Sequence, residues 1–360
     1  MNAMLFEKAA QETIDFQSNV LKGIKTLINM PKDDIKSDTL EKDKVFSIGK
    51  MKMYHYKPVK TGSSKVKIPV LVTYALVNKQ YMMDIQPDRS VIKAFLEAGL
   101  DVYIIDWGYP TAEDRYMSMD DHINWYMDEC VDFIRKETNH KKINLLGVCQ
   151  GGTFSTIYTA LHQDKINALV TMVTPVDFSP NDALLFAWSK FLDADALVDA
   201  YGVIPGGVMN VSYLMLKPFS LTLDKYISLA VNKQIEDPEF LGNFLRMEKW
   251  IFDSPAQAGD TIRQFINDLY KDNKLIKGEL ELGGRKVDLK NITCPLFAIC
   301  AEYDHLVPLS SSKPLMDAVG SSDKTFISFP VGHIGMYVSS RSQKEIAPQI
   351  GRWLAEKSKK

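Results

Sequence analysis

Apolar positions at Phe6, Ala10, Ile14, Leu21, Ile24 and Ile28 recur close to every 3.6 residues, and Phe16, Val20 and Leu27 widen the stripe into a predicted amphipathic helix. This N-terminal helical segment, taken as residues 1–45, either packs on the main domain or offers a docking face to a partner. The pattern then changes. Met51–Tyr56 reads as a strand, and Ile68–Tyr74 is a nearly continuous apolar run suited to a strand buried on both faces. The polar stretch Lys60–Lys67 between them reads as a surface turn. A helix over Ser90–Ala98, a strand over Asp101–Ile105, a helix over Met119–Glu137 and a strand over Lys142–Leu146 follow in turn. Gly152–Leu161 continues as helix and Ala168–Val173 as strand. After a gap the alternation resumes with strands Pro295–Cys300 and Lys324–Phe329 and a helix ending near Trp353. Strand and helix in alternation predict a mostly parallel α/β sheet.

The gap runs over residues 177–290 and carries helical apolar stretches rich in aromatic residues and Met, among them Phe186, Trp188, Phe191, Met209, Tyr213, Met215, Phe244, Met247, Trp250 and Phe252. It reads as a helical cap inserted between strands, with these side chains forming the cap's own core. The α/β core is accordingly assigned to 46–176 and 291–360.

Composition narrows the function classes. The chain has 360 residues, 46% hydrophobic and 24% charged, which fits a packed domain with an insertion and excludes a disordered or fibrous protein. A net charge of -2, with no basic block apart from Lys357, Lys359 and Lys360 at the tail, argues against nucleic acid as a partner. Cys130, Cys149, Cys294 and Cys300 form no CxxC pair and have no histidine at metal-ligand spacing, which points to a reduced, cytoplasmic protein without a metal site. Neither a signal-peptide core nor a membrane-spanning apolar run is present in the sequence, so neither export nor a membrane span is expected.

Chemistry concentrates at Gly147-Val148-Cys149-Gln150-Gly151, which directly follows an apolar strand and opens a small-residue helix. That is the context a nucleophile elbow requires: the central residue is forced into a strained turn, and flanking glycines let strand and helix pass closely. The bland alternative is a buried structural cysteine. A thiol at this position forms a thioester with the acyl group, close in free energy to an acyl-CoA donor and still reactive towards an alcohol. Acyl transfer from CoA to a hydroxyl therefore fits better than peptide hydrolysis. In such folds the order is nucleophile, acid, histidine, and Asp304 and His333 supply it from loops after the strands Pro295–Cys300 and Lys324–Phe329. Asp177 is a second candidate acid, and His305 reads as structural. Backbone N–H groups of Gln150 and of the loop after Ile68–Tyr74, at Val77, are the expected oxyanion donors.

These runs, together with Tyr74-Ala75-Leu76-Val77-Asn78-Lys79, Asp106-Trp107-Gly108-Tyr109-Pro110, Asp304-His305-Leu306-Val307-Pro308 and Gly332-His333-Ile334-Gly335, resemble the polyhydroxyalkanoate synthases over nearly the whole chain. The compact length and the elbow glutamine look like the two-component short-chain class. The resemblance implies an α/β-hydrolase fold and polymerisation of (R)-3-hydroxyacyl-CoA, 3-hydroxybutyryl-CoA foremost. CoA is the leaving group, and no further cofactor is implied. It also implies a PhaE-like second subunit, association with the polymer granule surface in the cytoplasm, and a homo-oligomer. In the family reaction Cys149 would carry the acyl group and His333 would take the thiol proton. Asp304 would either orient His333 or activate the incoming 3-hydroxyl. The second role is favoured here because a thiol ionises with less help than an alcohol. An acyl-CoA thioesterase and a non-catalytic granule-coating protein are the alternatives.

Overall fold

Eight strands form one sheet in the computed structural model, which describes residues 2–29, 36–59 and 68–358. The predicted turn at Lys60–Lys67 lies outside the described residues. In chain order the strands are β1 (Lys42–Ile48), β2 (Met51–Tyr56), β3 (Val70–Thr73), β4 (Val102–Asp106), β5 (Ile143–Val148), β6 (Ile166–Met172), β7 (Leu296–Ala301) and β8 (Lys324–Phe329). Across the sheet they run β1-β2-β4-β3-β5-β6-β7-β8. The β1–β2 and β2–β4 pairs are antiparallel and all later pairs are parallel. The apolar runs place themselves accordingly: every residue of β3, β5 and β7 is buried, as strands covered by helices on both faces must be.

The helices include α1 (Asn2–Asn29), α2 (Val91–Glu97), α3 (Asp128–Thr138), α4 (Gln150–Leu161) and α5 (Ala347–Lys357), with further helices within 184–277 and 309–338. Their ends follow local chemistry. Ser90 caps α2 by accepting the Lys93 N–H at 3.0 Å, and α3 stops at Asn139, whose φ of 53° an asparagine tolerates. The helix expected over Met119–Glu137 is divided, its first part being wound in wider π-type turns over Asp121–Met127.

Two expectations change. Residues 42–45, grouped by sequence with the N-terminal helical segment 1–45, are part of strand β1. Its alternation is obscured by Lys42, Asp43 and Lys44 and broken by a bulge between Lys44 and Phe46, features typical of an edge strand. The segment 177–290 is also not one cap by contact. Residues 38–206 and 255–360 form the sheet unit, while 1–37 and 207–254 form a separate helical unit. The reason is visible in the aromatics. Phe178 stacks with Phe186 at 5.7 Å and meets Tyr270 and Phe265 edge-on at 4.9 and 5.9 Å, and Phe265 reaches Phe154 of α4 at 6.1 Å. Phe186 thus belongs to the core around the sheet, whereas Phe191 is 90% exposed and cores nothing.

Within the helical unit, α1 packs against the helix Asp224–Val231 and the turn Lys233–Glu236, with Lys22 paired to Glu236 at 2.8 Å. Glu248 accepts from Lys225 at 2.7 Å and from the Tyr226 hydroxyl at 2.6 Å. Asp237 caps the helix Pro238–Phe252, with proline at its first position. Among the described residues no helix is long and apolar enough to cross a membrane.

Candidate active site

Strand β5 ends by delivering Cys149 into a sharp turn with φ 53° and ψ −123°, directly before α4. The left-handed φ is strained for a residue with a Cβ, and the turn is held by the Cys149 N–H donating to the Met172 carbonyl at 2.9 Å. The neighbouring glycines are sterically required: a Cβ on Gly151 would stand 2.5 Å from the Tyr74 carbonyl oxygen, and one on Gly147 would stand 2.5 Å from Gly152 Cα. Cys149 alone of the four cysteines is partly exposed. Burial pushes the Cys294 thiol up to about 11 and the Cys300 thiol up to about 12, so these remain protonated and inert.

The parallel strands bring the other two predicted residues to the same edge of the sheet. Asp304 follows β7 and His333 follows β8, and their loops are tied by Glu302 N–H to the Phe329 carbonyl at 2.8 Å and Tyr303 N–H to the Val331 carbonyl at 3.0 Å. His333 Nδ1 lies 2.6 Å from Asp304 Oδ2, while Asp304 Oδ1 accepts the N–H groups of Leu306 and Val307 at 2.8 and 2.9 Å. Burial alone would raise the Asp304 carboxyl, but His333 and these backbone donors outweigh it and hold the acid below its ordinary range. Burial would likewise lower His333, yet the Asp304 carboxylate, and after it the Cys149 sulfur as a charge and hydrogen-bond partner, push the imidazole up to about 10. The Tyr337 hydroxyl makes a long contact of 3.5 Å with His333 Nε2. Burial pushes both Tyr337 and Tyr74, whose rings meet edge-on at 6.0 Å, well above the usual phenol value, so both hydroxyls stay neutral.

Other candidates are engaged elsewhere. Asp177 accepts from Asn273 and from the Ser179 N–H, each at 2.8 Å. His55 pairs with Asp101 at 2.6 Å and stacks on Tyr103, His122 bonds the Ser118 carbonyl at 2.9 Å, and His162 bonds Asn124 at 2.8 Å.

The loop after β3 lies against the elbow. Leu76 N–H donates to Gln150 Oε1 at 3.1 Å, and the Leu76 carbonyl accepts from Gln257 Nε2 at 3.0 Å. Trp107 Nε1 donates to the Tyr74 carbonyl at 2.9 Å, and Lys79 makes a buried ion pair with Asp106, whose Oδ1 also accepts the Gly108 N–H at 2.9 Å. The run Asp106–Gly108 therefore braces the loop that carries Val77. Gln257 was invisible to sequence reasoning, because it sits outside every motif and meets Leu76 only through the fold.

Comparison with known proteins gives a consistent result. Residues 69–340 match the family model described as alpha/beta hydrolase fold. The chain is 49% identical over 351 residues to the poly(3-hydroxyalkanoate) polymerase subunit PhaC of Allochromatium vinosum, covering 98% of each chain. It is 48% identical over 352 residues to the protein of the same name from Thiocystis violacea, again covering 98% of each. Among solved structures, one from Sulfolobus solfataricus assigned as a lipase superposes with a TM-score of 0.55 at 16% identity, covering 88% of this chain and 99% of that one; at this identity the likeness concerns the fold alone.

Proposed function

The chain belongs to the poly(3-hydroxyalkanoate) polymerase subunit family of α/β-hydrolase-fold enzymes, and on that premise we propose that it takes (R)-3-hydroxyacyl groups, 3-hydroxybutyryl foremost, from CoA onto Cys149 and passes them to a growing polyester. The observation that carries the reading is a partly exposed cysteine on a strained elbow beside a buried His–Asp pair. His333 Nε2 takes the thiol proton before attack and, raised to about 10, keeps it while Cys149 Sγ attacks the thioester carbonyl as the thiolate. The oxyanion that forms is met by the backbone N–H groups of Gln150 and Val77. Collapse expels CoA, which leaves as the thiol with the proton from His333, and an acyl thioester remains on Cys149. The 3-hydroxyl of the next unit then attacks that thioester, its proton passes to His333, and an oxygen ester forms as the cysteine sulfur is released.

The surroundings of Asp304 favour the orienting role over direct activation of the 3-hydroxyl, the role preferred on sequence grounds. One oxygen is bonded to His333 and the other to two backbone N–H groups, and the side chain has no exposed surface. Three of its roughly four lone-pair positions are taken, and the remaining one, on Oδ2, belongs to a fully buried side chain out of reach of a substrate hydroxyl. A PhaE-like second subunit and attachment to the polymer granule remain part of the proposal. Phe219, Leu223 and Ile227 are exposed in the helical unit and give apolar surface that such a contact would cover.

Intact-protein mass measurement after rapid mixing with (R)-3-hydroxybutyryl-CoA and acid quench tests the loading step. A 3-hydroxybutyryl adduct removable by hydroxylamine should map to the peptide holding Cys149 and be absent from Cys149→Ala. An adduct on another residue, or one that survives in the Ala variant, refutes the assignment.

A further inference from the structure

Gln257 is 1% exposed and lies in the short segment following residue 254 that rejoins the sheet unit, paired in a two-residue ladder with Ile204. Its Nε2 faces three carbonyl oxygens, those of Leu76 at 3.0 Å, Pro255 at 3.1 Å and Ala256 at 3.3 Å, while its Oε1 has no hydrogen-bond partner. The opposite amide orientation would set Oε1 against three acceptors, so the side chain is fixed as a donor.

The acceptor matters because of what shares its peptide plane. The Leu76 carbonyl and the Val77 N–H belong to one planar trans peptide and point in opposite directions, so holding the carbonyl sets the direction of the N–H. The preceding peptide is held from the other side, Leu76 N–H donating to Gln150 Oε1. Two side-chain amides thus pin the two peptides flanking Leu76. Loop backbone of this kind has soft dihedrals, and a rotated Leu76–Val77 peptide would present a carbonyl where the oxyanion needs a donor.

We infer that Gln257 is a positioning residue that preorganises the oxyanion hole by clamping the Leu76 carbonyl and thereby aiming the Val77 N–H. The inference rests on the assignment of Val77 as an oxyanion donor. It also explains why a buried glutamine is kept with one unpaired oxygen, an arrangement that costs stability.

The test is a double-variant cycle read by single-turnover CoA release and by substrate Kd. Gln257→Met keeps length, removes the donor and also removes the unpaired oxygen. Gln257→Asn keeps the amide but shortens its reach, and serves if the Met variant does not accumulate as folded protein. In the second arm the Val77 N–H is replaced by an ester oxygen, using the α-hydroxy acid counterpart of valine. Loss of one oxyanion donor slows acyl transfer about 10²–10³-fold, so the ester should slow CoA release by that order. Each Gln257 variant should slow it about tenfold or more with Kd within about twofold, since the donor acts on the transition state. Added to the ester, a Gln257 variant should change the rate less than about threefold, because its target is already gone. If the ester is slow while Gln257 variants match wild type, or if the two losses multiply, Gln257 has no such role and Val77 keeps its own. If the ester reacts at the wild-type rate, the Val77 assignment fails and the inference falls with it.

Discussion

Asp304 shows how much the surroundings of a single carboxylate decide. Sequence alone left it two jobs, because its position after β7 fits both orienting a histidine and activating a hydroxyl. Its contacts favour the first, with Oδ2 at 2.6 Å from His333 Nδ1 and Oδ1 taken by two N–H groups. Asp304→Asn keeps the size but removes the charge, so the first turnover itself should slow, by about 10²-fold or more, with no rapid burst of CoA in quenched-flow measurement. A normal burst followed by a persistent thioester would restore the hydroxyl-activating role. The same substitution should alter stability in a defined window. The folded protein raises His333 from its ordinary value of 6.5 to about 10, so the pair stabilises the fold fully below the ordinary value and loses that contribution as pH rises through about 10. The resistance of wild type to urea should therefore fall as pH rises over this range, and that of Asp304→Asn should fall less.

At the scale of elements, the elbow is where sequence and structure agree most closely, for a physical reason. The strand, the strained residue and the close helix are adjacent in the chain, so Gly147, Cys149, Gly151 and the apolar run before them carry the whole device locally. Gly151→Ala tests it. The added methyl meets the Tyr74 carbonyl at 2.5 Å, and backbone there has no room to yield, so a cost of about 1–3 kcal/mol or more is expected. Calorimetry should show a melting temperature lowered by several degrees and activity lost with it, whereas Gly207→Ala, with nothing within 4 Å of its new methyl, should leave both close to wild type. An unchanged melting temperature for Gly151→Ala would mean that the close packing is not required. What the sequence concealed was non-local. Strand β1 is an edge strand whose charges and bulge erase the alternation. The stretch 177–290 looked like one cap because helical periodicity does not say which core a helix serves, and only the Phe178–Phe186–Phe265–Tyr270 cluster assigns part of it to the sheet unit. Gln257 has no motif at all, since its meaning lies in a contact with Leu76 far away in sequence.

At the scale of the whole molecule, a thiol elbow with a His–Asp pair is compatible with both polymer synthesis and hydrolysis, because both pass through the same acyl thioester. They differ in what attacks it. The likeness extends over 98% of the chain and 98% of the Allochromatium and Thiocystis proteins, well beyond a shared motif. The central claim is that an alcohol, not water, takes the acyl group. The most direct measurement is the fate of the acyl group in one reaction: the chain is incubated with (R)-3-hydroxybutyryl-CoA, with and without a PhaE-like subunit, and released CoA, free 3-hydroxybutyrate and solvent-extractable polyester are quantified in the same sample. The account predicts that CoA is matched by ester-linked 3-hydroxybutyrate, with the second subunit raising the rate, whereas CoA matched by free 3-hydroxybutyrate under both conditions would contradict it.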